Sequence, residues 1–297
     1  MLVACVGDIM LDVIVDVPEG LVPDDDTPAR ITFAAGGQAA NVAGWVHELG
    51  GRARLLGPRA AEGPGRFVDE ALEASGIEVH GPVTGRAGTV VSVVSRGTRS
   101  LASDPGTSDW LGEIAPGPWL DGVDWLFFSG YAMFRAPDPQ RLTAIADAAH
   151  DAGVRVAIDL SSAALITTYG AARFRRHWQA LRPHVVFANE YEWAVTQHPD
   201  GPGTPVRPDD SAPLPGFDAG GTTVLALKRG PRGCDFVIDG VVDHRDAIDG
   251  PVVDVTGAGD ALTAGFLLGG PDLAMKAAAR CVGNVGAQPH TLLPDSP

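Results

Sequence analysis

The segment Asp254-Val-Thr-Gly-Ala-Gly-Asp260 combines small residues with two carboxylates immediately before the apolar run Ala261 to Leu268. A turn of small residues that opens a helix directs several backbone N–H groups, and the positive end of the helix dipole, at one point suited to an anion. Asp260 would lie in the first turn of that helix, where an Asp is also a common dipole-complementing residue. A carboxylate beside an anion site meets a phosphate and a hydroxyl together, so the segment predicts phosphoryl-transfer chemistry.

Other polar segments stand next to predicted helices and strands: Gly7-Asp-Ile-Met-Leu-Asp12, Gly36-Gly-Gln-Ala-Ala-Asn41, Asn189-Glu-Tyr-Glu192 and Lys228-Arg-Gly-Pro-Arg-Gly233. Each has a structural interpretation as well as a ligand-binding one. Asn189 and Glu192 have the spacing of a capping box, which satisfies the first amides of a helix. The glycines of the other segments fit turns, and Asp12 fits a surface position on a strand. The residues alone leave both interpretations open.

The composition excludes several function classes. The chain has 297 residues, a formal net charge of −15 and a pI of about 4.8, so it lacks the basic surface that nucleic-acid binding requires. The apolar N-terminus carries Asp8, Asp12 and Asp16 but no basic region, and therefore predicts a buried strand and not a signal peptide. No apolar run approaches the roughly 20 residues of a membrane helix. We expect neither nucleic acid nor membrane as a partner.

The rarest reactive side chains narrow the mechanism and the compartment. Only two lysines occur, Lys228 and Lys276, and neither belongs to a Walker P-loop or to the strand motif of protein kinases. There is no GxSxG elbow and no HExxH helix, and the histidines have no metal-ligand spacing. The three cysteines are odd in number and far apart, which favours a reducing cytoplasm.

Apolar periodicity predicts the main fold. Short apolar runs of the kind buried on both faces of a sheet occur at Leu2 to Val6, Ala53 to Leu56, Trp125 to Ser129, Val154 to Ile158, Val185 to Ala188 and Val224 to Leu227. Helical patterns alternate with them at Gln38 to Leu49, Gly65 to Ser75, Pro139 to Ala152, Ala171 to Leu181 and Glu190 to Val195. This order predicts an α/β fold with a doubly wound, mostly parallel sheet flanked by helices.

Two pairs of alternating strands interrupt that order and predict a small separate sheet: Val13 to Val17 with Arg30 to Phe33, and Thr89 to Ser95 with Thr98 to Ala102 across Arg96-Gly97. A further hairpin is predicted at Asp235 to Ile238 and Val241 to His244, around Asp239-Gly240. The segment Pro199 to Gly221 is dense in Pro, Gly and Asp, and is predicted to be a solvent loop.

The run DVTGAGD followed by ALTAGF resembles the C-terminal signature DTxGAGD of ribokinase-like sugar kinases, the phosphofructokinase-B family. The segment at 36–41, the NxxE motif at 189–192, the end of the first strand at 7–12 and the loop Gly286-Ala-Gln-Pro289 resemble further family elements in the same order. Together they cover essentially the whole chain. The resemblance implies one kinase domain over residues 1–297, with a β-sheet lid built from segments at about 12–34 and 86–104.

The resemblance also implies roles for individual residues. Asp260 would be the catalytic base, in front of an anion hole formed by Gly257, Ala258 and Gly259. Asp12, Gly36, Gly37 and Asn41 would bind the sugar. Asn189, Lys228, Gly230, Gly233 and Thr256 would bind the nucleotide, although the choice between Lys228 and Arg229 as phosphate ligand stays open. Glu192 would place Mg²⁺ through water, and the loops at Asp254 and Gly286 would hold a monovalent cation such as K⁺.

These roles predict an ATP-dependent and Mg²⁺-dependent kinase for a primary hydroxyl of a small sugar or sugar derivative, with a homodimer formed through the lid. The sequence departs from the family at two specificity positions. Asp159-Leu-Ser-Ser-Ala163 lacks the Asn and Arg of ketodeoxygluconate and fructose kinases, and Met10 replaces the Asn of ribokinases. Met10 and Phe33 could instead face the base of a nucleoside. A nucleoside kinase and a catalytically inactive sugar sensor are therefore the alternatives.

Overall fold

The structure is a computed structural model that describes residues 1–83, 85–95, 98–106, 114–136, 138–197 and 223–289. The predicted solvent loop Pro199 to Gly221 and the hairpin tip Arg96-Gly97 lie outside these residues. The strands in chain order are β1 (Leu2–Val6), β2 (Met10–Asp16), β3 (Arg30–Gly36), β4 (Arg52–Leu56), β5 (Glu78–His80), β6 (Gly88–Ser95), β7 (Thr98–Asp104), β8 (Trp125–Ser129), β9 (Arg155–Asp159), β10 (Val185–Asn189), β11 (Val224–Lys228), β12 (Cys234–Ile238) and β13 (Val241–Arg245).

Nine of these strands form the main sheet, in the order β13-β12-β11-β10-β9-β8-β1-β4-β5. All its pairs from β5 to β11 are parallel, and the hairpin β12–β13 continues the sheet antiparallel beyond β11. The chain passes outward from β1 in both directions, first to β4 and later to β8. This reversal is a topological switch point, where open α/β sheets bind ligands beyond the carboxyl ends of their strands.

Helices cover both faces of the main sheet. They are α1 (Gln38–Glu48), α2 (Gly63–Ala74), α3 (Gly130–Arg135), α4 (Gln140–Asp151), α5 (Ala163–Tyr169), α6 (Ala171–Ala180), α7 (Glu190–Gln197) and α8 (Ala258–Val282). Helices α1, α2 and α8 pack on one face, and α3 to α7 on the other. In β1, side chains 2, 4 and 6 enter one of these two cores, whereas side chains 3 and 5 enter the other. This alternation follows from the two-residue period of a strand.

The small sheet has the order β3-β2-β6-β7, with β2 and β6 parallel and the other pairs antiparallel. Strand β2 begins at Met10, three residues before the predicted Val13, because its first residues already pair with β3 and β6. Only three residues lie between the end of β1 and that start. The two sheets are therefore joined directly at the end of β1.

The predicted α/β class, with a large mostly parallel sheet and a second smaller one, is confirmed. The sequence interpretation did not include the edge strand β5 or the short helices α3 and α5. Helix α8 is interrupted at Gly269 and Gly270, whose backbone angles are not helical, immediately before Pro271. None of the helices in the described ranges has the length and apolar character needed to cross a membrane.

Candidate active site at the carboxyl edge of the main sheet

Four neighbouring strands of the main sheet end in a polar residue. Ser129 ends β8, Asp159 ends β9, Asn189 ends β10 and Lys228 ends β11. Ser129 is in register with Asp159, and Asn189 is in register with Lys228. Since parallel strands end at the same edge of a sheet, these side chains form one polar row beside the switch point. Asp8, two residues after β1, extends the row.

The first turn of α8 opens toward this row. Gly257 caps the helix with a φ of 74°, and a Cβ at this position would lie 2.6 Å from the Cα of Ala287. Only glycine meets both conditions. Ala258 and Gly259 are the first two helical residues, and a Cβ on Gly259 would lie 3.3 Å from Lys228 Nζ. The predicted anion hole therefore lies next to a cation.

Asp254 fixes the loop before α8. Its Oδ1 accepts hydrogen bonds from the backbone N and the Oγ1 of Thr256, at 2.9 and 2.6 Å. Its Oδ2 accepts from the backbone N of Gly286 at 2.9 Å. The carboxylate thus joins the two loops that the sequence assigned to a monovalent cation. Thr256 stabilises this loop through its hydrogen bonds to Asp254, and its carbonyl oxygen accepts a hydrogen bond from the Cys281 thiol at 3.2 Å.

Asp260 is the third residue of α8 and is held by residues far away in the sequence. Asn41 Nδ2 donates to its Oδ2 at 2.8 Å, and Asn41 Oδ1 in turn accepts from Gln288 Nε2 at 3.0 Å. Burial raises the pKa of Asp260 to about 7, while hydrogen bonds from Asn41 and Gln38 act in the opposite direction. The structure therefore brings together Asn41 and Asp260, which the sequence placed in different functional sets.

Lys228 forms a buried ion pair with Asp159, with 2.5 Å between Nζ and Oδ2. Although burial works against its charge, the carboxylates of Asp159 and Glu192 hold the pKa of Lys228 above its ordinary value. Lys228 is accordingly charged at every physiological pH. It lies at the junction between the ends of β9, β10 and β11 and the first turn of α8.

Asn189 and Glu192 form a complete capping box. Glu192 Oε2 accepts from the backbone N of Asn189 at 2.7 Å, and Asn189 Oδ1 accepts from the backbone N of Glu192 at 2.9 Å. Asn189 Nδ2 also donates to Glu192 Oε1 at 2.6 Å. Burial, opposed by Lys228 and reinforced by Asp159, raises the pKa of Glu192 to about 7. The structural interpretation of this motif is therefore observed in full.

The carboxylates near Asn189 suit a Mg²⁺ ion bound through water better than one bound directly. Both oxygens of Glu192 already accept hydrogen bonds, and one oxygen of Asp159 pairs with Lys228. Among the residues that the structure describes, no group of three or more His, Cys, Asp or Glu side chains is arranged to hold a metal. Mg²⁺ usually keeps several waters and binds through one or two carboxylates and substrate phosphates. The remaining lone pairs of Glu192 suit such a water.

Lys228 and Arg229 are adjacent in the sequence, but their side chains have different partners. Arg229 donates to Glu190 at 2.6 Å and to Asp235 at 2.6 Å, and Arg232 also pairs with Glu190 at 2.5 Å. Arg229 is thus engaged in a network that holds the loop. The glycines of this loop, at 230 and 233, have φ angles of 59° and 87°, and a Cβ on the second would collide with a carbonyl of β13.

A pocket of about 500 Å³ lies between this loop and α8. At one end it is lined by Asn189, Lys228 and Gly259, and its walls are mainly aliphatic. The walls include Ile248, Val252, Val255, Leu262, Met275 and Val282, together with the loop residues Gly230 and Gly233. Small-molecule sites are typically concave, about 300–1,000 Å³ in volume and mostly apolar, with a few polar groups. Lys228, and not Arg229, contributes to this pocket.

Two of the predicted sugar residues are glycines that lie against other parts of the chain. Gly36 lies against Asp12, because a Cβ on Gly36 would be 2.2 Å from the carboxylate. Gly37 has a φ of 93° and passes the carbonyl of Asp8, so neither glycine accommodates a side chain. Both glycines immediately precede α1, which carries Asn41 to Asp260. The start of α1 therefore connects the small sheet with the first turn of α8.

Sequence reasoning missed several residues of the site: Gln38, Ser129, Asp159, Ser161, Arg135 and Gln288. Arg135 of α3 forms a buried ion pair with Asp8 at 2.5 Å. A usable signal existed for some of them, since a polar residue that ends an apolar strand marks the carboxyl edge of a parallel sheet. Met10, considered as a nucleoside contact, is buried in the core, and Phe33 packs edge-on against Phe67 at 6.5 Å.

The family follows from comparison with known proteins. The model of the pfkB family carbohydrate kinases matches residues 1–287 of this chain. The chain therefore belongs to this family, which confirms the resemblance and the kinase class that the sequence predicted.

Individual relatives vary in function. Over 251 residues the chain is 31% identical to the bifunctional protein HldE of Halorhodospira halophila, covering 80% of this chain and 48% of HldE. The chain thus spans about half the length of that protein. Over 254 residues it is 27% identical to the ATP-dependent ribose-1-phosphate kinase of Halopiger xanaduensis, covering 83% of this chain and 77% of that protein.

The fold is shared with solved structures. The crystal structure of adenosine kinase from Sinorhizobium meliloti superposes with a TM-score of 0.77 and 22% identity, covering 97% of this chain and 95% of that one. A likeness at this identity establishes the fold and leaves the substrate to be inferred from the site.

Proposed function

We propose that this chain is an ATP-dependent kinase that phosphorylates a primary hydroxyl of a small sugar or sugar derivative, with Asp260 as the general base. One observation carries the proposal. The Asp260 carboxylate is partly buried, accepts a hydrogen bond from Asn41, and belongs to the first turn of α8, whose Ala258 and Gly259 line the pocket together with Lys228. A proton acceptor and an anion site are thereby adjacent.

The pocket supports ATP as the phosphoryl donor. Its aliphatic walls suit an adenine ring, and its polar end, with Asn189 and Lys228, suits phosphates. The amides of Gly257, Ala258 and Gly259 would stabilise the charge on the transferring phosphoryl group. The amide of Ala258 also makes a long turn bond to Val255, at 3.4 Å. The amides after Ala258 are the better donors. They belong to the first N–H groups of the helix, which lack helical partners, and they do not make that turn bond.

Asp260 would accept the proton of the acceptor hydroxyl while that oxygen attacks the γ-phosphorus of ATP. The bond from the γ-phosphorus to the bridging oxygen breaks, and ADP leaves with its electron pair. A general base works best when its pKa is close to the operating pH, and the pKa of Asp260 is raised to about 7. Lys228, held by Asp159, would face the phosphoryl oxygens in place of a P-loop lysine.

Mg²⁺, when bound with the nucleotide, neutralises charge on the phosphates. Glu192 would accept a hydrogen bond from a water of the ion, and Asn189 would keep the carboxylate in place through the capping box. The monovalent-cation site is also a proposal. Asp254 supports it by holding its own loop and the loop at Gly286 together, which would present backbone carbonyls to K⁺.

The acceptor sugar would lie between Asp12 and Asn41, with Gly36 and Gly37 allowing the backbone before α1 to approach Asp12 and Asp8 closely. Asp12 is the third residue of β2 and lies near the point where the two sheets join. The small sheet is therefore placed to cover the sugar and exclude water. Asp12→Ala should raise the sugar KM about 10- to 100-fold, because a charged hydrogen-bond partner is lost. An unchanged KM would remove Asp12 from the sugar site.

The small sheet also supports a homodimer. Three large apolar side chains on it are exposed to solvent: Ile31, Phe33 and Leu101, at 54%, 49% and 59%. Burial of such side chains against a second copy would be favourable. Light scattering should therefore give a dimer for the wild type and a monomer for Phe33→Glu/Leu101→Glu. The three cysteines are free and buried, which supports a reducing, cytoplasmic location.

A coupled ADP-release screen tests the function. Pentoses, hexoses, keto acids, ribose 1-phosphate and nucleosides would be offered with Mg·ATP, and each hit repeated with Asp260→Asn. We expect the highest kcat/KM with a sugar or sugar derivative. A nucleoside as the best acceptor would favour the nucleoside-kinase alternative. ATP binding without turnover on any acceptor would favour a sugar sensor.

A further inference from the structure

Gln38, the first residue of α1, is the centre of a hydrogen-bond network beside Asp260. Its Oε1 accepts from Ser129 Oγ at 2.5 Å and from Ser161 Oγ at 2.6 Å. Its side chain also lies close enough to the Asp260 carboxylate to lower the pKa of that group through hydrogen bonding. The three partners come from the end of β8, the loop after β9 and the first turn of α8. One amide therefore connects the carboxyl edge of the sheet with the proposed base.

The chemistry of these partners determines how the amide is turned. A hydroxyl can donate or accept, an ionised carboxylate only accepts, and an amide has one accepting and one donating end. Because the Asp260 carboxylate only accepts, the Nε2 group of Gln38 faces it, and Oε1 accepts from Ser129 and from Ser161, whose Oγ also lies 3.0 Å from the carbonyl oxygen of Asp159. The reverse orientation would set an oxygen against the carboxylate of Asp260. The two serines thus fix Gln38, and Gln38 in turn fixes the carboxylate.

Ser161 is itself held in an uncommon conformation. Its φ is 72°, in the left-handed region that residues other than glycine seldom adopt. The backbone N of Ser161 donates to Asp159 Oδ1 at 2.9 Å, and this bond stabilises the turn. The other oxygen of the Asp159 carboxylate pairs with Lys228. Gln38 therefore contacts a turn whose Asp159 also holds Lys228, the cation proposed to face the phosphates.

A second amide holds Asp260 from the same helix. Asn41 follows Gln38 by three residues, so both project from one face of α1. Gln288 donates to Asn41 Oδ1, which turns Asn41 Nδ2 toward Asp260. The same rule applies twice: an outer donor occupies the amide oxygen, and the amide nitrogen then points at the carboxylate. Asp260 lies between two donors whose orientations are set by different parts of the chain.

We infer that Gln38 is a positioning residue for phosphoryl transfer, which fixes the orientation of the Asp260 carboxylate and favours its proton-accepting form, with Ser129 and Ser161 setting the amide. The inference rests on the proposed role of Asp260 as the base. Gln38 acts through Asp260 and needs no contact with the sugar or the nucleotide.

Other charged or titratable groups also bear on Asp260. Asp159 at the end of β9 raises its pKa, and Lys228 at the end of β11 lowers it. Tyr131 of α3 and Cys281 of α8 have pKa values raised to about 12, chiefly by burial, and are neutral near pH 7. The two ionised neighbours oppose each other, so loss of one amide donor should be visible in the titration of Asp260.

The test measures two quantities in Gln38→Leu: the pH dependence of kcat, and the ¹³C chemical shift of the Asp260 carboxyl in the substrate-free protein, assigned with Asp260→Asn. We expect the midpoint of both to rise by about one pH unit, because a donor to the ionised carboxylate is lost. The kcat at pH 7 should fall about tenfold, with a nearly unchanged acceptor KM. Gln38→Glu should move the midpoint further upward, since it adds a like charge.

Ser129→Ala/Ser161→Ala provides a second variant in which Gln38 is intact but no longer oriented. It should give a smaller upward shift in the same direction. Unmoved midpoints in a folded Gln38→Leu protein, or a raised acceptor KM with unchanged kcat, would overturn the inference. The carboxyl titration needs no substrate. A shifted titration in a protein without kinase activity would therefore support the positioning role and reject the proposed reaction, whereas activity without a shift would do the reverse.

Discussion

The first turns of α7 and α8 each place a carboxylate at the third helical position, and the two carboxylates have different partners. Glu192 in α7 binds the cap residue of its own helix, Asn189, through three hydrogen bonds. Asp260 in α8 binds Asn41, which is 219 residues away in the sequence. Burial raises the pKa of both carboxyls to about 7. The same local position therefore has a local use in one helix and a long-range use in the other.

The cap residue explains the difference. Asn189 has a side chain that donates to a carboxylate, whereas Gly257 has none. Glu192 accepts from both the backbone N–H and the side-chain amide of its cap residue. Asp260 has a side chain one methylene shorter than that of Glu192 and a cap residue without a side-chain donor, and its donor Asn41 comes from α1. A glycine cap followed by Asp at the third position thus favours long-range partners for the carboxylate.

Asp260→Asn should give the largest effect. We expect kcat to fall by about 10² to 10⁴, because an amide cannot accept the proton of the hydroxyl. ATP affinity should remain nearly that of the wild type, since the amides of the turn are unchanged. Steady-state kinetics and calorimetry would measure these quantities. Turnover close to wild type would mean that the two carboxylates do not differ in the way proposed.

Lys228→Met tests the cation that faces both turns. We expect a loss of about 3–5 kcal/mol in unfolding free energy, because Asp159 is left as a buried charge without its partner. The matched variant Lys228→Met/Asp159→Asn should recover most of it. Denaturant unfolding measures both. If the double variant is stable yet still binds ATP more weakly, then Lys228 also contacts phosphate. A single variant as stable as the wild type would contradict the ion-pair argument.

Glu192→Gln should have a smaller effect. Loss of the charged acceptor weakens the cap of α7, so we expect about 1 kcal/mol less unfolding free energy. The kcat should fall less than about tenfold, with any remaining defect relieved by excess Mg²⁺ if the carboxylate holds an ion-bound water. Kinetics over a Mg²⁺ series provides the measurement. A fall in kcat as large as that of Asp260→Asn would remove the distinction between the two turns.

The smallest effect concerns stability and pH. Since the pKa of Asp260 is higher in the folded than in the unfolded chain, its contribution to stability is fully present below about pH 4 and is lost as pH rises toward 8. Asp260→Asn does not have this loss. We therefore expect the variant to have the higher Tm at pH 8, by a few degrees, and a smaller difference at pH 5. Equal pH dependences of Tm in the two proteins would contradict the raised pKa of Asp260 in the folded chain.

Much of the fold could be predicted because its signals are local. The strands of the main sheet are continuous apolar runs, so β8 and β10 were placed within one residue. Strand β5 has only three residues, Glu78–His80, two of which are polar, and it exists because β4 offers it an edge. Helices α3 and α5, with six and seven residues, are too short for a helical period to appear.

The site divides in the same way. The turn at 257–260 and the capping box at 189–192 are contiguous motifs, and sequence patterns placed them. The contacts of Gln38 with Ser129 and Ser161 join residues 91 and 123 positions apart, and the pair Lys228 and Asp159 is 69 positions apart. These contacts depend on the order of strands in the sheet, which no local pattern specifies.

The row of polar strand ends has one further consequence. From β11 through β10, β9 and β8 to β1 there are four steps of about 4.8 Å, so the row measures roughly 19 Å. In the proposed reaction the phosphoryl donor would lie at the Lys228 end of this row and the acceptor near Asp8. A substitution at one strand end changes one contact and leaves the spacing of the strands intact. If the proposed function holds, specificity for a new acceptor can evolve at the ends of β1 and β8 while the strand ends proposed to meet the nucleotide stay unchanged.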